Sequence, residues 1–155
     1  MNDLAKKINQ GALLTAGNMD HYNTMTIGWG FIGTIWRMNM LICFVRPSRY
    51  TYQFMENQSY FTVSFYDAPY KEAMSILGSQ SGRKVDKVKN AGFNPMPIGE
   101  SVTFKEAYMT ILCKKAYQQP LDEKHFPKLV KEIYYANNDV HEMYFGEIVE
   151  IYENH

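Results

Sequence analysis

The sequence predicts a mainly β domain with peripheral helices, built as an antiparallel barrel that is closed or partly closed. Three observations carry this. Runs rich in β-branched, aromatic and aliphatic residues outnumber helical patterns. Turn-forming stretches separate those runs, and no regular alternation of strands with long helices suggests a doubly wound sheet. The 155 residues suit a single domain, 1–155, with one core of its own. No internal repeat or low-complexity segment divides them.

The first half is expected to form strands over 11–17 (GALLTAG), 24–36 (TMTIGWGFIGTIW), 40–45 (MLICFV) and 60–65 (YFTVSF). Gly28, Gly30 and Gly33 interrupt the longest run, where glycine marks a bulge, a barrel corner or a close approach. Short helices follow. Ser48 or Thr51 is expected to cap one through YQFMEN, and Asp67 with Pro69 to open another through YKEAMSILG, with Gly78 as its stop. VDKVKNAG gives a further turn ending at Gly92. NPMPIG (94–99) reads as a proline-broken connection.

Strands return in the second half. Ala107, Met109, Ile111 and Cys113 share one parity in EAYMTILCKKAY (106–117), as a half-buried strand requires. HEMYFGEIVEIY (141–152) reads the same way, with a bulge expected at Gly146. Between them a helix begins near Pro127 and carries Leu129, Val130, Ile133 and Tyr134 on its apolar stripe.

Composition excludes several functions. Sixteen basic residues balance sixteen acidic ones, so no overall field favours nucleic acid, and no basic run is interleaved with aromatics. No stretch approaches a membrane span and no signal-type apolar region opens the chain, which predicts a soluble cytoplasmic protein. Cys43 and Cys113 each sit in an apolar run and read as core residues. His21, His125, His141 and His155 have no ligand spacing, so no metal site is expected. No serine stands in a nucleophile elbow, and acyl transfer has no support.

What remains is chemistry for holding an anion locally. RPSRYT (46–51) ends an apolar strand with two arginines, a serine, a tyrosine and a threonine at a strand-to-helix turn. GSQSGRK (78–84) is not a nucleotide P-loop, because only three residues separate its glycines and Val85 follows the lysine. It still offers Ser79, Ser81, Gly82, Arg83, Lys84 and free turn amides. Two such loops in a neutral chain suggest one dianionic phosphate held between them. NTMTIGWG (23–30) carries Asn23, Thr24 and Thr26 beside Gly28. It reads equally as an ordinary barrel strand or as one that presents hydroxyls and bare backbone to a flat polar ring.

NTMTIGWG, VRPSRYTYQFMENQSYFTVSF, SGRKVDK, TFKEAYMTILCKKAY and HEMYFGEIVEIY, in this order and spacing, resemble the flavin reductase-like family with its FMN-binding split β-barrel, flavoredoxin-type proteins included. The resemblance runs from about residue 10 to 152. It implies a homodimer in which each barrel binds FMN. Asn23, Thr24, Met25, Thr26 and Gly28 would lie near the ring or ribityl chain. Arg46, Ser48, Arg49, Tyr50, Thr51, Ser81, Gly82, Lys84, Asp86 and Lys87 would surround the phosphate. The sequence departs from the family pattern at WRMNML, where a proline-containing turn is expected, and at SFYDAP.

The resemblance implies an oxidoreductase that takes a hydride from NADH or NADPH and reduces flavin or another small acceptor. An alternative is a flavoredoxin-like electron-transfer or flavin-binding protein without reductase turnover. A third is a split barrel that binds another planar cofactor. No G-x-G-x-x-G fingerprint names the donor.

Overall fold

The structure, a computed structural model, describes residues 3–154. Seven strands form one antiparallel sheet: β1 (Ala12–Gly17), β2 (Tyr22–Ile27), β3 (Gly30–Ile35), β4 (Met38–Val45), β5 (Tyr60–Phe65), β8 (Met109–Pro120) and β9 (Glu142–Glu153), in the order β2-β1-β5-β8-β9-β4-β3. A separate hairpin pairs β6 (Pro95–Ile98) with β7 (Ser101–Phe104). β2 and β3 stand at opposite ends of the sheet and do not pair, so the barrel is split rather than closed.

This topology explains why 24–36 is two strands instead of one. Gly28 and Trp29 carry the chain from one end of the sheet to the other, because β2 pairs with β1 while β3 pairs with β4. Gly30 is required by close approach: a methyl there would lie 2.9 Å from the Ile42 carbonyl oxygen. β3 turns into β4 through Trp36 and Arg37, both left-handed at φ 53° and 59°. Such a turn normally selects Asn or Gly, and here Trp36 packs its ring on Tyr117 and Phe145.

The stretch 94–99 also differs from expectation. Pro95 and Pro97 lie in β6, which has a partner on one side only, the setting in which a strand tolerates proline. The β6–β7 hairpin closes on the outer face of the sheet, where Thr62 Oγ1 donates to the Val102 carbonyl at 2.7 Å and Thr103 bonds Thr110 at 2.6 Å. β1 is buried along its whole length. Its Leu14 belongs to the barrel interior with Leu41, Phe61 and Ile111, and its Leu13 to an outer cluster with Leu77, Phe93 and Phe104.

The helices are α1 (Asp3–Asn9), α2 (Thr51–Asn57), α3 (Lys71–Ser79), α4 (Lys87–Ala91) and α5 (Lys128–Tyr134). α1, unassigned from sequence, seals the barrel with Ile8, which is fully buried. Neither Ser48 nor Thr51 caps α2: Tyr50 stands at the cap position and makes no side-chain cap bond. Gly78 lies inside α3 rather than stopping it, because a methyl there would sit 2.8 Å from Thr26 Oγ1. The glycine lets α3 rest directly on β2. α5 buries none of its residues, and Leu129 and Ile133 are exposed, so the stripe read as core-facing has no core beneath it in one chain.

β8 and β9 start and end within three residues of the sequence reading. The irregularity expected at Gly146 falls on its partner strand, where the register slips between Lys115 and Tyr117. Gly146 serves packing instead. A methyl there would lie 2.4 Å from Phe61 Cζ.

Candidate functional site

The loop between β4 and α2 and the loop between α3 and α4 close on a cavity of about 150 Å³. Asn23 and Met25 of β2 form its floor, Ser48 to Thr51 one side, and Gly78 to Arg83 with Lys87 the other. Asn23 is fixed there because its Nδ2 donates to Thr51 Oγ1 at 2.8 Å, a bond that ties β2 to the first residue of α2. Lys87 is buried and donates Nζ to the Leu77 carbonyl at 3.1 Å. No carboxylate pairs with it among the described residues. Burial, with the Arg49 charge beside it, pushes its pKa down to about 8.

Arg49 borders this cavity and a second one of about 230 Å³, as does Met25. Among the described residues the Arg49 guanidinium has no hydrogen-bond acceptor. The second cavity is walled by Met25 to Trp29 on one side and by Phe44, Arg46 and His141 on the other. Trp29 and His141 rings lie 5.2 Å apart, and Phe44 meets His141 edge to face at 6.3 Å. His141 Nδ1 bonds the Tyr135 hydroxyl at 2.8 Å. Burial first, then the Arg46 charge, push the His141 pKa down to about 4, so its imidazole is neutral at neutral pH.

A third cavity, about 450 Å³, lies outside the α3–α4 loop and is lined by Asp20, His21, Lys84, Val85 and Asp86 among others. Both thiols are inert. Burial pushes Cys43 up to about 12 and raises Cys113 as well. Among the described residues no group of His, Cys, Asp or Glu could hold a metal ion, and no helix is long and apolar enough to cross a membrane.

A small basic cavity and an aromatic-walled one thus lie side by side, with Met25 and Arg49 in the lining of both. The model of the flavin reductase like domain matches residues 8–155. The chain belongs to that family.

Its fold is shared by several solved structures. A flavoredoxin from Methanosarcina acetivorans superposes with a TM-score of 0.71 at 23% identity, over 93% of this chain and 68% of that one. An FMN-binding protein from Thermus thermophilus, solved with p-hydroxybenzaldehyde, gives 0.73 at 19%, over 93% and 71%. The flavoredoxin of Desulfovibrio vulgaris (Miyazaki F) gives 0.73 at 20%, over 93% and 69%. At these identities the likeness shows the fold alone. No curated protein matches the sequence.

Of the residues that the family resemblance named, the structure brings Asn23, Met25, Ser48, Arg49, Tyr50, Thr51, Ser81, Gly82 and Lys87 together around the small cavity. Thr26, Gly28 and Arg46 border the aromatic one. Thr24 is turned to the opposite face of β2, buried, and bonded to Thr15 Oγ1 at 2.9 Å and the Leu14 carbonyl at 3.2 Å. Arg46 is spoken for: it donates to the Asp139 and Tyr134 carbonyls at 2.7 and 2.9 Å and so anchors the segment that delivers His141. The Ser48 hydroxyl donates to Asp139 Oδ2. Lys84 and Asp86 line the outer cavity, where Asp86 caps α4 by accepting from the Lys89 amide at 3.1 Å.

Sequence reasoning left out Trp29, Phe44 and His141 as wall residues. Trp29 sits at the break between β2 and β3 and His141 immediately before β9, and strand pattern alone gives neither a partner. The one available signal was a histidine ahead of a buried strand in a chain with no metal spacing.

Proposed function

We propose that the protein is an FMN-dependent oxidoreductase of the flavin reductase type, which takes a hydride from NADH or NADPH and passes electrons to flavin or another small planar acceptor. The observation that carries this reading is the side-by-side placement of the two cavities, which share Met25 and Arg49. A phosphate is suited to the small one, where, among the described residues, the buried Lys87 ammonium has no counter-ion and Arg49 no acceptor. A ring is suited to the other, against Met25, Thr26 and Gly28.

A flavin bound here supplies the hydride and electron transfer. The chain's own residues bind and orient it. Asn23 and Thr51 hold the cavity floor, and α3 keeps its distance from β2 through Gly78. Trp29 and Phe44 give the ring side an apolar wall, and the neutral His141 offers a polar group there without adding charge. The Thermus thermophilus relative holds a small aromatic aldehyde, and the Trp29, Phe44 and His141 wall here suits an acceptor of that kind.

We also propose a homodimer, in keeping with a soluble cytoplasmic enzyme. Phe31, Trp36, Leu129, Ile133 and Ile151 are all large, apolar and exposed in the single chain, and a second copy is the simplest cover.

The visible spectrum of the purified protein tests the cofactor, and NADH or NADPH consumption with added flavin tests turnover. Flavin bands and steady consumption support the proposal. Flavin without consumption leaves the electron-carrier reading, and a colourless protein that does not quench FMN fluorescence overturns both. Sedimentation equilibrium showing a single-chain mass would refute the dimer.

A further inference from the structure

We propose that Arg83 makes this site selective for the flavin mononucleotide, closing the phosphate cavity so that a phosphate inside it must be the end of the ligand. FMN then fits and FAD does not. The inference rests on the FMN reading above.

The small cavity and the outer one share Asn23, Tyr50, Gly82, Arg83 and Lys87 as a common wall. That wall is closed at two points. A methyl on Gly82 would stand 2.2 Å from Asn23 Oδ1, so the α3–α4 loop touches β2 there with no room between. The second closure is Arg83. It reaches from the α3–α4 loop across to the β4–α2 loop, where Nη1 donates to the Ser48 carbonyl at 3.0 Å and the guanidinium lies 5.1 Å above the Tyr50 ring. Tyr50 is itself held edge-on by Phe54, with ring centroids 5.1 Å apart.

Arg83 therefore straps together the two loops that embrace the phosphate position. In FAD the phosphate monoester is replaced by a pyrophosphate that must leave the cavity toward its adenylate half. The strap stands in that path. Beyond it, the outer cavity of about 450 Å³, with Lys84 in its lining beside Asp20 and Asp86, has space for a second phosphate and a base. Of the two closures, Gly82 against Asn23 is made of backbone and a buried side chain. Arg83 is exposed, so its removal opens the wall without disturbing the core. Selectivity of this sort is a difference of two affinities set by a steric obstacle to the competitor.

The test measures FMN and FAD affinities of the full chain, wild type, Arg83→Ala and Tyr50→Ala, by quenching of flavin fluorescence. The wild type is expected to favour FMN over FAD by about thirtyfold or more, and Arg83→Ala to reduce that ratio by about tenfold through tighter FAD binding. Tyr50→Ala removes the platform under the strap and is expected to move the ratio the same way, which keeps the test valid should one variant misfold. The proposal is overturned if the wild type binds the two flavins alike, if neither variant changes the ratio, or if the ratio falls only because FMN is lost. That last result would make Arg83 a phosphate ligand. If the wild type binds neither flavin, the FMN reading itself fails, and this inference with it.

Discussion

Tyr144 donates its hydroxyl proton to Glu56 Oε1 at 2.6 Å, which ties β9 to the last turn of α2. Gln118 donates to the same Glu56 oxygen at 3.0 Å and to Glu142 Oε1 at 3.2 Å. α2 begins at the small basic cavity, so this bond at its far end fixes the helix that carries Thr51.

Burial and the neighbouring Glu56 carboxylate raise the Tyr144 pKa, so the phenol remains a donor at all ordinary pH. Tyr144→Phe keeps the ring and removes the bond. Because Glu56 is exposed and also accepts from Gln118, the expected loss is about 1 kcal/mol of unfolding free energy. Urea denaturation would measure it, and an unchanged midpoint would show that the bond contributes nothing.

Arg49 has no acceptor among the described residues and borders both cavities. Arg49→Ala is expected to weaken FMN binding by about 1.5 to 3 kcal/mol, the range for bonds to charged groups. Riboflavin, which lacks the phosphate, should be much less affected. Equal losses for the two ligands would remove Arg49 from the phosphate.

Lys87 titrates at about 8 in the folded chain against an ordinary 10.5. Between those values the unfolded chain holds a proton that the folded one has released, so folding stability of the flavin-free protein rises with pH across that window. FMN binding is expected to have the opposite slope. A phosphate beside Lys87 favours the ammonium, and binding above pH 8 must take up a proton, so affinity falls as pH rises. Calorimetry in two buffers of different ionisation enthalpy would reveal the proton uptake, and Lys87→Met should abolish it.

Gly146 is a packing glycine. A methyl there would stand 2.4 Å from Phe61 Cζ and 2.6 Å from Cys113 Cβ, both in the buried core. Gly146→Ala is expected to cost about 1 to 3 kcal/mol by overpacking. A thermal midpoint equal to that of the parent would show that the barrel interior can yield.

Much of this was legible in the sequence because it depends on neighbours along the chain. Alternating or continuous apolar runs gave most of the sheet strands to within a few residues, and RPSRYT and SGRKVDK concentrated arginine, lysine and hydroxyls in two loops that the fold brings to one cavity. What the sequence could not give depends on contacts between distant segments. Strand pattern does not say that 22–27 and 30–35 belong to opposite ends of one sheet, because the choice is made by pairing with β1 and β4. Nor does it say that proline-bearing 95–98 is a strand, since only the presence of β7 on one side permits it. Arg46 and Arg49 look alike in sequence, yet Tyr134 and Asp139 carbonyls from far along the chain claim the first, while the second borders both cavities. Thr24 and Asn23 are adjacent, but the pleat sends one to the outer face and the other to the cavity. Lys87 becomes a buried cation, and His141 joins Trp29 and Phe44 in one wall, only when the sheet and the helices over it have closed. Local chemistry supplied the parts of the site, and long-range packing decided which of them face it.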